Sequence, residues 1–168
     1  AVSTGEEAYS VAMLFLEAMA ARKREPNLRI FASDMHRKSL QTAAEGLYSE
    51  ASVAELSEER KTRFFEREAG GMRVTALLRK HILFSVHNVI RDAPFTRIDL
   101  VSCRNLLIYL RPAAQVKALS SFHFGLKVRS FLLLGPSEGV SELHNEFDTV
   151  DRQWKVFRKS RDSRLPVD

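Results

Sequence analysis

Polar side chains follow three apolar segments of this sequence, at the point where each segment ends. Asp34 closes "LRIFASD", Asn88 closes "ILFSVHN", and Cys103, Arg104 and Asn105 follow "IDLVS". If these segments are parallel strands, their carboxyl ends share one edge, where open α/β sheets bind ligands. An acid in this position commonly accepts the two hydroxyls of a ribose. The side-chain amides suit an adenine edge or an amino-acid headgroup.

The first ten residues, "AVSTGEEAYS", restrict that ligand further. A helix start has free N–H groups that favour anions, but Glu6 and Glu7 would repel a phosphate placed there. The pattern therefore indicates a nucleoside without phosphates and with some positive charge, as in S-adenosylmethionine. An alternative needs no ligand: Ser3 with Glu6, and Thr4 with Glu7, both fit a capping box.

Other catalytic chemistries have weaker support. The sequence has a single cysteine, Cys103, so an internal disulfide is excluded and a reducing cytoplasm is the expected compartment. Because Cys103 follows an apolar segment, we expect it to be a core residue and not a nucleophile. The five histidines show no metal-ligand spacing, and we expect no metal; they are His36, His81, His87, His123 and His144.

Hydrophobic periodicity predicts the elements that position these residues. We predict helices over 5–24, 35–46 (closed by Gly46) and 112–126, strands at 28–34, 82–88, 98–102 and 130–135, and a closing hairpin from "FDTVD" and "QWKVFRKS". A strand, a helix and a strand in this order favour a parallel α/β sheet. The last residues, "RDSRLPVD", resemble a frayed end or a linker.

Residues 47–81 interrupt that order. "SVAELSEERKTRFFERE" resembles a charged helix, Gly70 and Gly71 form a turn, and "MRVTALLRKH" resembles a paired strand. We predict that residues 47–81 form an inserted small subdomain outside the main sheet. We further predict that residues 52–81 can be replaced by a short linker without loss of the remaining core.

The composition is that of a globular protein, with 45% hydrophobic and 28% charged residues. A single domain is expected for 168 residues, with no leader and no membrane-spanning segment. The formal charge of +5 admits nucleic acid as a partner, but 21 acidic residues are interspersed with 26 basic ones and no RNA-binding aromatic motif is present. We expect no nucleic acid and no membrane insertion.

Four segments together resemble the catalytic domain of the CheR-type chemoreceptor glutamate methyltransferases. They are "STGEEAYS", "FASDMHRKSLQTAAEGLYSE", "FSVHNVIRDAPFTRIDLVSCRNLLIYL" and "FHFGLKVRSFLLLGPSEG". The resemblance implies a Rossmann-like class I methyltransferase fold of mostly parallel sheet with a small antiparallel subdomain inserted. It further implies S-adenosylmethionine as cofactor, S-adenosylhomocysteine as product and γ-glutamyl methyl esters on the cytoplasmic helices of chemoreceptors. The sequence of these segments is most similar to family members that are fused to methylesterase and sensor domains.

The resemblance also assigns roles to residues. It implies that the cofactor is bound by six residues, namely Glu7, Asp34, Asn88, Val89, Asn105 and Leu106. Tyr109, in "LLIYL", matches a tyrosine near the transferred methyl group. The alternative is a core tyrosine with a satisfied hydroxyl.

The sequence also departs from the family pattern. It does not include the first strand or the family's helical N-terminal domain, which carries an active-site arginine, and "LKVRSF" replaces a proline-glycine-glycine turn. Without that domain we expect weak S-adenosylhomocysteine binding and slow methyl transfer or none. A non-catalytic regulatory or interaction module with the same fold is the alternative.

Overall fold

A computed structural model describes residues 1–163 and residue 165, and the chain forms two compact units. The first unit comprises Val2–His87, and the second begins at Asn88. The helices are α1 (Glu6–Ala21), α2 (Arg37–Glu45), α3 (Glu58–Phe64), α4 (Ala76–Arg79) and α5 (Pro112–Gly125). The strands are β1 (Ile30–Asp34), β2 (Leu47–Tyr48), β3 (Phe65–Glu68), β4 (Gly71–Val74), β5 (Ile82–Val86), β6 (Ile98–Cys103), β7 (Leu126–Leu134), β8 (Phe147–Asp151) and β9 (Val156–Lys159). Across the described residues, no helix is long and apolar enough to cross a membrane.

A parallel strand pair organises the first unit. Strand β1 pairs with β5 in continuous register, from Ile30 opposite Ile82 to Asp34 opposite Val86. Helix α2 follows β1 and ends at Gly46, whose left-handed φ of 64° closes the helix as predicted. The sequence therefore predicted α1, β1, α2 and β5 correctly, and Asp34 lies at the carboxyl end of its strand.

The segment between α2 and β5 forms a small antiparallel sheet with the order β2-β4-β3. Two predictions within it are wrong in detail. The charged segment is α-helical only over Glu58–Phe64 and then becomes β3. The segment "MRVTALLRKH" is a strand only to Val74 and is followed by α4. Ser57 caps α3, because its hydroxyl accepts the N–H of Arg60.

The small sheet shares its hydrophobic core with α1. The core combines residues of α1 with residues of the segment 47–81, namely Tyr9, Ala12, Met13, Leu16, Tyr48, Val53, Phe64, Phe65, Met72, Val74 and Leu78. Phe64 and Leu78 are fully buried in it. Most of the buried members of this core therefore come from the segment 47–81.

The second unit is a four-stranded sheet with the order β6-β7-β9-β8. Strands β6 and β7 are parallel, whereas β7, β9 and β8 pair antiparallel, so the predicted closing hairpin is confirmed. Pro112 occupies the first turn of α5, where its missing N–H costs nothing. Parallel pairing in both units and a separate antiparallel sheet confirm the predicted α/β class.

The segment after β9 is held by ion pairs rather than frayed. The guanidinium of Arg161 and the hydroxyl of Ser163 donate to the carboxylate of Glu146, the hydroxyl at 2.6 Å. The carboxylate of Asp162 lies 2.6 Å from Nζ of Lys159. For residues 161–163 the predicted frayed end is therefore wrong. The rest of that prediction concerns Arg164 and residues 166–168, which lie outside the described residues, and Leu165, which packs against the core.

Candidate cofactor site

The loop before α1 has no capping box. Helix α1 begins at Glu6, and its N-cap is Gly5, which has a left-handed φ of 96°. Within the described part of the chain, no side-chain hydrogen bond caps this N-terminus of α1. The Thr4 hydroxyl instead donates to the Glu6 carboxylate, at 2.7 and 2.9 Å. The capping-box prediction is wrong because the N-cap position falls on Gly5, which has no side chain, and not on Ser3 or Thr4. Glu7 lies half-buried in the first helical turn.

The same loop is tightly packed against its own unit. A Cβ atom on Gly5 would lie 2.8 Å from the Cβ of Ala43 and 3.0 Å from the Tyr48 hydroxyl. That hydroxyl donates to the carbonyl of Thr4 at 2.7 Å. Glycine is therefore needed at this position both for its φ and for lack of space.

Asp34 is joined to this loop by backbone hydrogen bonds. Its Oδ2 accepts the N–H of Ser3 and its Oδ1 accepts the N–H of His36, both at 2.9 Å. Partial burial opposes the charged form, but the N–H donors outweigh it and hold the pKa of Asp34 below its usual range. A carboxylate has about four lone-pair sites, and the N–H groups of Ser3, His36 and Met35 use part of that capacity. The structure thus brings Asp34 and the "STGEE" loop together.

Asn88 begins a hydrogen-bonded turn in the second unit, in which its carbonyl accepts the N–H groups of Arg91 and Asp92. Its Oδ1 accepts the N–H groups of Ile90 at 3.0 Å and Arg91 at 3.2 Å, and its own N–H donates to Asp92 at 2.7 Å. The side-chain oxygen is thus used within the turn, which leaves the NH₂ group as the donor suited to a ligand acceptor. The next residue, Val89, packs against the core of the second unit.

Asn105 is held in place by an acid that the sequence analysis did not single out. Asn105 has a left-handed φ of 58°, and its N–H donates to Oε2 of Glu138 at 3.0 Å. The same oxygen accepts the N–H of Gly135 at 2.7 Å. Only 6% of the Glu138 surface is exposed. Glu138 therefore joins the loops that follow β6 and β7. The signal available was the single acid in "GPSEG", directly after an apolar strand.

Leu106 and Tyr109 follow Asn105 in a short 3₁₀ turn and differ in burial. Leu106 packs against the core, and its carbonyl accepts the N–H of Tyr109 at 3.1 Å. The side chain of Tyr109 is exposed, with 79% of the residue accessible. The alternative of a core tyrosine is therefore wrong, and the phenol is available to a ligand or a substrate.

Cys103 lies in the core of the second unit and is buried, in agreement with its predicted structural role. Within residues 1–163 and 165, no three His, Cys, Asp or Glu side chains converge in a way that could hold a metal ion.

Each unit therefore carries polar groups at the carboxyl end of a parallel strand pair, with helices as connections. These features define an α/β domain of the nucleoside-cofactor-binding class. The model of the CheR methyltransferase, SAM binding domain, matches residues 1–156. The chain belongs to this family, and its cofactor is S-adenosylmethionine.

Curated relatives agree with this assignment. The chain is 38% identical over 165 residues to an uncharacterized 104.1 kDa protein of Rhodobacter capsulatus, which covers 98% of this chain and 17% of that protein. It is 32% identical to a chemotaxis protein methyltransferase of Vibrio parahaemolyticus, over 89% of this chain and 56% of that protein. A chemotaxis protein methyltransferase of Salmonella typhimurium is likewise 32% identical, over 96% of this chain and 57% of that protein. The chain thus spans less than two thirds of the length of these relatives.

Solved structures with a similar fold include a SAM-dependent methyltransferase from Methanosarcina mazei, with a TM-score of 0.47 and 11% identity over 79% of this chain and 48% of that one. Another is the N-methyltransferase NodS from Bradyrhizobium japonicum in complex with S-adenosyl-L-homocysteine. Its TM-score is 0.41, and the identity is 13% over 78% of this chain and 61% of that one. At such scores the family assignment rests on the sequence match.

Proposed function

We propose that this domain methylates the γ-carboxylate of glutamates on the cytoplasmic helices of chemoreceptors. The relatives named chemotaxis protein methyltransferases support this substrate class. The observation that carries the proposal is the bond between the N–H of Ser3 and Asp34, which places the acidic "STGEE" loop beside a second carboxylate. Such a loop suits a nucleoside that carries a sulfonium and an ammonium, and it disfavours a phosphate.

We assign the cofactor contacts to the six residues named in the sequence analysis. Asp34 accepts the ribose hydroxyls, Glu7 provides negative charge for the cationic part, and Asn88 donates its side-chain NH₂ to the adenine. Val89 and Leu106 supply apolar contacts, and Asn105 presents its side-chain amide. The hydrogen bonds of Asp34 and Asn88 within the protein support these roles, because they fix the orientation of each side chain before a ligand binds.

The reaction needs alignment more than proton transfer. When bound, S-adenosylmethionine supplies an electrophilic methyl group. The acceptor glutamate is already ionised at neutral pH, so no side chain of this domain has to act as a base. Orientation of two reactants can be worth about 7–11 kcal/mol. The exposed phenol of Tyr109 is suited to donate a hydrogen bond to the acceptor carboxylate and so to hold it in line.

The test combines a methyl-ester assay with the variant Tyr109→Phe. Chemoreceptor fragments and radiolabelled S-adenosylmethionine are incubated with the protein, and base-labile methyl esters are counted. We expect ester formation by the wild type, and a loss of about tenfold or more in kcat for Y109F with S-adenosylhomocysteine affinity within about twofold. Cofactor binding without any ester formation would contradict the proposal and favour a non-catalytic module. An unchanged kcat in Y109F would remove the role of the phenol.

A further inference from the structure

We propose that Tyr48, in the first strand of the small sheet, is a positioning residue for the cofactor loop. The proposal rests on the proposed function of the "STGEE" loop and extends it to a residue outside that loop. Tyr48 donates its hydroxyl to the Thr4 carbonyl at 2.7 Å and is only 8% exposed. Through this bond the small sheet fixes the position of the first turn of α1, which contains Glu7.

Tyr48 has little freedom of its own. Strand β2 pairs with β4, which places Tyr48 opposite Met72. The ring of Tyr9 contacts it edge-on, with 6.0 Å between centroids and 79° between planes. Burial, with smaller contributions from Tyr9 and Glu6, raises the pKa of the Tyr48 phenol. The hydroxyl therefore keeps its proton at neutral pH and can donate to the carbonyl of Thr4.

The loop itself is flanked on both sides of Thr4. Asp34 holds the preceding residue through the N–H of Ser3, and Ala43 lies against Gly5 on the other side. Gly5 has a left-handed backbone, a conformation that glycine adopts without cost but also leaves easily. Within the loop, the N–H of Gly5 also donates to the carbonyl of Val2 at 3.0 Å. The Tyr48 hydroxyl adds the bond that ties the loop to the small sheet, so its loss should loosen the turn at Gly5 while Asp34 stays in place.

Tyr9 offers a matched control for this bond. Its hydroxyl is also buried and also donates to a backbone carbonyl at 2.7 Å, but the acceptor is Ala43 in α2 rather than the loop. The variants Y48F and Y9F both keep the aromatic ring and remove one buried hydroxyl. A purely structural role would make the two variants behave alike.

The experiment measures two properties of each variant in the full chain. Calorimetry gives the affinity for S-adenosylhomocysteine, and amide hydrogen exchange reports opening of residues 4–8. We expect Y48F to weaken binding by about fivefold or more and to accelerate exchange at residues 4–8 by a similar factor, whereas Y9F changes both by less than about twofold. Equal effects of the two variants, or no effect of Y48F, would overturn the proposal. If the wild type does not bind S-adenosylhomocysteine, the proposed function fails, and the exchange rates still decide whether Tyr48 positions the loop.

Discussion

The carboxylate of Glu138 accepts the backbone N–H of Asn105 at 3.0 Å from more than thirty positions away in the sequence. It also accepts the N–H of Gly135 at 2.7 Å and that of Ile108 at 3.4 Å. A Cβ on Gly135 would lie 2.7 Å from the same carboxylate, so only glycine permits this approach. One buried side chain thus fixes the backbone on both sides of the Asn105 turn.

Replacement of Glu138 by glutamine should therefore affect both stability and binding. The amide can present only one oxygen, and its NH₂ would face N–H donors. We expect E138Q to lower the free energy of unfolding by about 1–3 kcal/mol, as measured by urea denaturation, and to weaken S-adenosylhomocysteine binding. The control is E142Q, at an exposed position close by, which should change neither. Equal stability of the two variants would show that the Glu138 bonds contribute little.

Asp34 should carry much of the nucleoside recognition. In Asp34→Asn the shape is kept but one acceptor oxygen becomes a donor, which suits neither a backbone N–H nor a second ribose hydroxyl. We expect S-adenosylhomocysteine to bind more weakly by about 1–3 kcal/mol, measured by calorimetry. The variant Asp148→Asn removes an exposed carboxylate from the second unit and should bind normally. Normal binding by a folded D34N would refute the assignment.

Removal of residues 52–81 should abolish cooperative unfolding of the first unit, contrary to the expectation from the sequence. The removed segment supplies most of the core against which α1 packs. Point variants test the same idea within an intact chain. Leu78→Ala, at a fully buried position, should cost about 2–5 kcal/mol, whereas Leu77→Ala, at a position 47% exposed, should cost little. A cooperative melt of the shortened chain would restore the idea of a removable insertion.

The Glu146 cluster should make part of the stability depend on pH. Hydrogen bonds from Arg161 and then Ser163 lower the pKa of Glu146 from 4.5 to about 2. A carboxyl with a lower pKa in the folded state stabilises the fold above its unfolded pKa, and this contribution is lost as pH falls. The difference in urea midpoint between wild type and Glu146→Gln should therefore be constant above about pH 5 and shrink between pH 4.5 and 2. A difference that does not change across this range would contradict the role of these bonds.

The sequence predicted those features that depend on local patterns. Apolar periodicity located α1, β1, α2, β5 and the closing hairpin, and it placed Asp34 at the end of β1 and Asn105 just after β6. What it missed depends on contacts between distant segments. Nothing local in "LYSE" shows that the Tyr48 hydroxyl reaches Thr4. Glu138 is one of 21 acidic residues in the sequence. Only the fold shows that its carboxylate oxygens accept three backbone N–H groups. The capping box failed because the sequence does not reveal the left-handed turn at Gly5.

The parallel pairing of Ile30 with Ile82 also has a consequence for the order of folding. Closing so long a loop in a disordered chain loses much conformational entropy before any contact between the two strands compensates it. The hairpin of β3 and β4, by contrast, joins residues that are close neighbours in the sequence, and α2 needs only local bonds. We therefore expect these local elements to form first and to shorten the effective distance between β1 and β5. The small sheet would then set the rate at which the parallel pair, and with it the Asp34 end of β1, is assembled.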